Sequence, residues 1–308
     1  LIRREFYLIG NNRYPGLVRV FKISEADQNI PFMTMEYIPG ITLDQINRID
    51  DWHLLVKILS SISINLYYLR LLRIAHGDIK PHNIFLPSGI DAFEKAGFSY
   101  CKISDLSLAL KEGELSSGRL GQGTIGYMAP ETIDNGALMH QSDIFALGVM
   151  AYRLATGKHP FMEDDTDPVR INGMVKEHQP VPPSQLTPSL PQQLNDLIMA
   201  MLKKNPKERP IDGWSICEEL EKIGSNYPYK KAIRSKHLLY DGHLHNASKI
   251  LDLPVFNFPK PIIERLLDYC DEDAIKLRNM LEINFTRNHL IWQSGRLSFN
   301  RNAEGIIL

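Results

Sequence analysis

Cysteine is scarce in this chain of 308 residues: Cys101, Cys217 and Cys270 are the full set, odd in number and widely spaced. They fit neither a disulfide framework nor a metal knuckle, and a reducing cytosol is the simplest home for them. An excess of charge of one sign is also missing. Lys and Arg total 35 against 36 Asp and Glu, a formal net charge of −1, which leaves no electrostatic case for nucleic acid or an anionic membrane as partner. No unbroken apolar run reaches the roughly 18 to 20 residues that a membrane span needs. The chain opens with Leu1 and not Met, without the charged-then-apolar layout of a signal peptide. It is therefore expected to be cut from a longer polypeptide. Internal repeats and low-complexity tracts are absent as well.

What remains is ordinary globular material. With 44% hydrophobic and 23% charged residues, the length suits two domains or one two-lobed domain. Leu55, Ile58, Leu59, Ile62, Leu66, Leu69 and Leu72 recur at threes and fours, and other apolar residues fill the remaining faces. The spacing predicts a buried helix from Trp52 to Leu72, uninterrupted by Gly or Pro. Ser142–Leu154 reads as a second buried helix, and the run PSLPQQLNDLIMAMLKKNPKERP as a third, closed by Pro206. GLVRVFKI and PFMTMEYI read as strands. Long loops are expected over 87–98, 107–126 and EHQPVPPSQLTPSLP, and loops of that length usually serve function.

The chemistry sits in IAHGDIKPHNIFL, where Asp78, Lys80 and Asn83 lie between two apolar segments. Phosphoryl transfer asks a protein for a carboxylate to orient the attacking hydroxyl, a cation on the moving phosphate and oxygen ligands for Mg²⁺. This loop supplies one of each. Asp105, at the end of the strand-like CKIS, is a candidate for a second metal carboxylate.

The ordered set His76, Asp78, Lys80 and Asn83, then Asp105, then Ala129-Pro130-Glu131, then Ser142, Asp143 and Gly148, then Arg209, resembles the eukaryotic-type Ser/Thr protein kinases over roughly residues 1–225. The resemblance implies an α+β, two-lobed kinase-like fold, here mainly the helical large lobe. It divides the chain into a small-lobe remnant (1–35), a large lobe (36–225) and a C-terminal helical extension (226–308). It implies ATP and Mg²⁺ as cofactors and a protein Ser/Thr hydroxyl as acceptor; the cytoplasmic location expected for the chain rests on its cysteine usage alone.

By that resemblance Asp78 is the catalytic base, Lys80 contacts the γ-phosphate, and Asn83 and Asp105 hold the metal. Thr124 bridges Asp78 and Lys80 and floors the site for the substrate's next side chain. Met35 takes the gatekeeper place, the backbones of Glu36 and Ile38 face adenine, and Phe85 lies under the ring. Glu5 stands where a helix Glu pairs with the ATP-binding Lys. His76, Glu131, Asp143 and Arg209 are structural, Glu131 and Arg209 as a buried ion pair. Lys80 favours Ser/Thr over Tyr acceptors.

Three departures qualify the match. The Gly-rich loop and strand Lys that would precede Glu5 are not in the sequence, so the chain as given is expected to be inactive by itself. Gly77 replaces the Arg that usually precedes the base and reads a loop phosphate. Asp105-Leu106-Ser107 replaces Asp-Phe-Gly, so Ser107 lacks glycine's freedom at positive φ. A catalytically silent scaffold, or a kinase-like small-molecule phosphotransferase, would share part of this pattern. Intact Asp78, Asn83 and Asp105 speak against the first, and Lys80 with Glu131 against the second.

Several features invite other readings. GQGTIG at 121–126 matches a dinucleotide fingerprint, but a polar stretch precedes it and Tyr127-Met128-Ala129-Pro130 follows. His237, His243 and His245 read as solvated histidines; Ser116 and Ser117 look phosphorylatable, but most loop serines are merely solvated and Gly77 weighs further against a regulatory role. PKPIIERLLDYC and DEDAIKLRNMLEI read as two short amphipathic helices joined near 271–273, with partner docking one use for them.

Overall fold

The computed structural model describes residues 5, 6, 8, 14, 16–26, 30–95, 101–111, 123–162, 167–224, 290–293 and 296–299. The chain divides into two compact units, one of residues 1–12 and 16–233, the other of 13–15 and 234–308. The first is a mixed α+β fold of the two-lobed kinase type with a reduced small lobe.

It begins with Glu5, Phe6 and Leu8 in helical conformation. Strands β1 (Val20–Ala26) and β2 (Ile30–Met35) follow and pair antiparallel, Ile23 opposite Met33. The first strand starts later than its apolar pattern suggests. Leu17 is instead bridged to Ile103, far along the chain.

β3 (Gly40–Thr42) leads through a 3₁₀ turn (Leu43–Gln45) to α1 (Trp52–Leu71). Asp51 caps α1 by accepting the His53 N–H at 2.9 Å. This helix is the one among the described residues that is long and apolar enough to cross a membrane, although polar residues interrupt its apolar run. It is a core helix here: Leu55, Ile58, Leu59 and Ile62 are all fully buried.

After α1 come β4 (Ile74–Ala75), a 3₁₀ turn (Pro81–Asn83) and β5 (Ile84–Pro87). α2 (Gly89–Lys95) lies inside a stretch expected to be loop, held by the fully buried Phe93. β6 (Lys102–Ile103) and β7 (Leu110–Lys111) complete two small sheets, β3-β5-β6 and β4-β7.

The rest is helical: α3 (Pro130–Asn135), α4 (His140–Thr156), α5 (Pro168–Glu177), α6 (Pro183–Leu186), α7 (Gln192–Met201) and α8 (Gly213–Ile223). α7 stops well before Pro206, which opens a 3₁₀ turn of its own (Pro206–Glu208). The short α6 lies in the last of the expected loops.

α1 packs on α4 and α8, and α4 on α7, around one apolar core. α8 can approach α1 closely because Gly213 has no side chain: a Cβ there would stand 2.0 Å from the Ser63 carbonyl oxygen. Asp212 caps α8 through the Ser215 N–H at 2.9 Å and pairs with Arg70 of α1. Cys101 and Cys217 are buried, and burial pushes the Cys101 thiol up to about 12, so it is inert.

In the second unit β8 (Leu290–Gln293) and β9 (Arg296–Phe299) form an antiparallel hairpin that the helical reading of the extension did not foresee. Cys270, His237, His243, His245, Ser116, Ser117 and the two amphipathic helices lie outside the described residues.

Candidate active site

Short strands β4 and β5 leave a tight loop between them, and its backbone is pinned from below. Asp143, near the start of α4, accepts the His76 N–H at 2.8 Å on one oxygen and the Gly77 N–H at 2.9 Å on the other. Burial pushes Asp143 up to about 7, against the pull of those two donors. His76 is fully buried, and burial lowers its pKa, so it is neutral. Its Nδ1 accepts the Asp78 N–H at 3.2 Å, which leaves Nε2 to donate to the Ser104 carbonyl at 3.0 Å. One imidazole thus ties the loop to the end of β6.

The side chains converge on Asp78. Lys80 Nζ is 2.5 Å from Oδ2, and Asn83 Nδ2 donates to the same oxygen at 3.2 Å and to the Asp78 carbonyl at 2.9 Å. On Oδ1, Thr124 donates its N–H at 3.2 Å and its hydroxyl at 2.6 Å. Lys80 also donates to Thr124 Oγ1 at 2.8 Å. Burial alone would raise the carboxyl, but the bonds from Lys80 and Thr124 outweigh it and hold Asp78 below its ordinary value. It is an ionised acceptor at neutral pH.

Asp105 follows β6 with its side chain exposed and φ of +63°, and its carboxylate accepts the Ser107 N–H at 3.3 Å. The left-handed conformation therefore falls at Asp105, not at Ser107, and the serine in place of glycine imposes no strain. Leu106 fills an apolar slot and is almost wholly buried.

Glu5 is buried, and its Oε1 accepts the Leu106 N–H at 3.1 Å. Burial raises its pKa, the Leu106 N–H opposes this, and the charge of Asp105 adds to the rise. Where the resemblance gave Glu5 a lysine partner, the structure gives it the backbone of Leu106, next to Asp105.

Among the described residues no three His, Cys, Asp or Glu side chains gather as a metal cage. That donor set still suits Mg²⁺, which is commonly held by one or two protein oxygens plus substrate phosphates. Asn83 turns its Nδ2 to Asp78, leaving Oδ1 for another partner, and Asp105 offers an exposed carboxylate.

Phe85 lies half-buried on β5, opposite both Thr42 and Lys102. Ile38 is buried, while Met35, expected in the gatekeeper place, is 46% exposed. The Glu36 N–H already donates to the Arg19 carbonyl at 2.7 Å, so of its backbone polar groups the carbonyl is left for a nucleotide.

Glu131 and Arg209 form the buried pair expected of them. NH1 and NH2 meet Oε1 and Oε2 in parallel, both at 2.8 Å. The guanidinium is further satisfied by the carbonyls of Lys203, Gln141 and Lys204 and lies over the Phe145 ring.

Gly77 has a structural reason that its sequence does not show. Its φ is +83°, and a Cβ there would stand 2.7 Å from Leu138 Cδ2. Gly123–Gly126 likewise resolve as part of an irregular turn, with the Tyr127 N–H donating to the Thr124 carbonyl at 3.0 Å, not as the mouth of a dinucleotide-binding helix. Sequence reasoning passed over Lys102, Leu138 and His159, because no motif marks them.

The carboxylate met by a lysine, an amide and a threonine, with an exposed acid after β6, carries the residues on which the resemblance to the protein kinases rests. The family model for the protein kinase domain matches residues 1–220, and the chain belongs to that family. It is similar to the serine/threonine-protein kinase pkn3 of Myxococcus xanthus, 29% identical over 231 residues, which cover 72% of this chain and 41% of that protein. PknB of Mycobacterium leprae is 27% identical over 233 residues (73% of this chain, 36% of that protein). PrkC of Bacillus subtilis is 28% identical over 230 residues (71% and 32%). The matched region thus spans only 32% to 41% of these relatives' length.

Proposed function

We propose that this chain carries the large lobe of an ATP-dependent Ser/Thr protein kinase, with residues 1–35 a part of the small lobe and 226–308 an extension. The reading rests on one observation above all, the Asp78 carboxylate and the four donors that meet it. Four is also about the number of lone-pair sites a carboxylate has. A substrate hydroxyl must therefore displace one donor, and Lys80 is the one on a flexible stem.

As the acceptor hydroxyl binds, Lys80 Nζ moves from Asp78 Oδ2 toward the phosphoryl oxygens, where its charge is needed. Asp78 orients the hydroxyl and takes its proton as the oxygen–phosphorus bond forms and the bond to the leaving ADP breaks. Asn83 and Asp105 would hold the Mg²⁺ of a bound MgATP, which would supply the phosphoryl group and the charge that neutralises it. Thr124 keeps Asp78 from turning while Lys80 is away.

The test is Asp78→Asn in the full-length protein, read by phosphate transfer from labelled ATP to a Ser/Thr substrate and by a melting curve. Activity should fall by about 10²–10⁴, the span usual for a general base, with the melting temperature kept. Transfer within about tenfold of wild type removes Asp78 from the role. A wild-type protein that binds MgATP without transferring phosphate would instead identify a scaffold.

A further inference from the structure

The carboxylate of Glu36 joins three separate stretches of chain. Its Oε2 accepts the Lys102 ammonium at 2.8 Å and the Arg19 backbone N–H at 3.1 Å. The Glu36 N–H returns a bond to the Arg19 carbonyl at 2.7 Å. Arg19 cannot replace Lys102 as counter-ion while its own guanidinium lies over the Phe21 ring, 5.2 Å from the centroid.

Lys102 itself is firmly seated. One edge of β6 pairs with β5, placing Lys102 opposite Phe85. The other edge meets the segment before β1: Ile103 donates to the Gly16 carbonyl and accepts from the Val18 N–H, both at 2.9 Å. The ion pair is sheltered, with Glu36 29% and Lys102 17% exposed at the side chain. Water and salt screen such a pair less than an open surface pair. Any tilt of β1–β2 against the β3-β5-β6 sheet must stretch the Oε2–Nζ contact.

We propose that Glu36 and Lys102 form a strut that fixes the backbone of residues 36–38 against the sheet carrying Phe85. In this arrangement the purine of a nucleotide meets a preset hinge, and the cost of ordering that segment is not charged against binding. Both are positioning residues, and neither side chain need touch the ligand. The nucleotide half of this inference rests on the kinase reading; the strut does not.

The experiment compares full-length wild type with Lys102→Met and Lys102→Arg by hydrogen exchange of peptides covering 31–40 and 140–156. Calorimetry with MgATP runs in parallel. Lys102→Met should speed exchange in 31–40 by about tenfold, leave 140–156 unchanged and weaken MgATP by about three- to tenfold. The rate at saturating ATP should change by less than about twofold, the pattern of lost ground-state binding. Lys102→Arg, which keeps the cation, should stay near wild type in each measurement. Unchanged exchange in 31–40, or equal acceleration in both segments, overturns the strut. Faster exchange in 31–40 with unaltered MgATP affinity overturns its role toward the nucleotide. A wild type that binds no MgATP defeats the kinase reading and with it that role, while the exchange data still decide the strut.

Discussion

Thr124 Oγ1 donates to Asp78 Oδ1 across 2.6 Å, the tightest of the bonds that Thr124 makes at the catalytic loop. Since that bond and the one from Lys80 hold the Asp78 pKa down, removing the hydroxyl has a defined sign. Thr124→Ala should raise the pKa of Asp78 and move the acidic limb of the pH–rate profile upward. Activity at neutral pH should fall by roughly tenfold or more, within the range for a group that orients a general base. Thr124→Ser, which keeps the hydroxyl, should preserve both the limb and most of the rate. Steady-state kinetics from pH 4 to 8 make the comparison. A limb that stays in place in Thr124→Ala removes the hydroxyl from control of Asp78.

Arg209 and Glu131 predict a stability effect without chemistry. The pair is bidentate and the guanidinium side chain is wholly covered, so loss of either partner strands a buried charge. Glu131→Ala or Arg209→Ala should each cost about 3–5 kcal/mol. The double substitution should cost clearly less than their sum, because neither charge is then left alone. Denaturant melts of the four proteins close the cycle. Additive losses would deny the coupling.

Gly77 makes a prediction of opposite character, since it concerns backbone and space. Gly77→Ala should destabilise by about 1–2 kcal/mol, the usual cost of a left-handed L-residue. The Leu138 contact adds less, because Cδ2 is the far end of a half-exposed side chain. Adding Leu138→Ala should therefore not restore stability. With no guanidinium at 77, activity should also survive phosphatase treatment, checked by kinetics before and after.

The contrast among these residues shows what sequence reading can reach. Asp78, Lys80 and Asn83 sit in one loop, so their spacing carries the chemistry directly. α1 and α4 were readable because burial on nearly every face leaves an apolar imprint along twenty and seventeen residues. Glu131 and Arg209 lie 78 residues apart and were paired only through the family resemblance. Glu36 and Lys102, 66 apart, follow no such pattern, and a strand of two residues has no periodicity to detect. α2 escaped because seven residues that open on Gly89, straight after Pro-Ser, look like loop until Phe93 is seen to be buried. Gly77 appeared to be a loss of arginine; its N–H is held by Asp143 and a Cβ there would meet Leu138, neither of which is local in sequence.

His159 supplies the last prediction. Its Nδ1 accepts the N–H groups of Phe161 at 3.2 Å and Met162 at 3.1 Å, so the proton resides on Nε2, which is buried without a partner among the described residues. Tyr127 packs edge-on against the ring at 5.3 Å. Burial first, and the nearby Arg153 charge second, lower His159 from 6.5 to about 4. Between those values the unfolded chain binds a proton that the folded chain refuses. Stability contributed by neutral His159 is therefore fully present above pH 6.5 and declines as pH falls toward 4, by at most about 1.4 kcal/mol per pH unit. His76, buried and neutral, acts with the same sign, whereas Asp143, raised to about 7, opposes it by favouring the folded state at lower pH. The total curve mixes these, so the useful quantity is the difference between wild type and His159→Gln. The variant leaves two backbone N–H groups without their acceptor and should be less stable at pH 7.5 by about 1–3 kcal/mol. That deficit should shrink steadily as pH falls from 6.5 to 4, because only the wild type has a proton to exclude at this position. Denaturant melts at several pH values measure it. A deficit that is constant across the range would mean that His159 titrates alike in both states, and the neutral, buried imidazole would have to be abandoned.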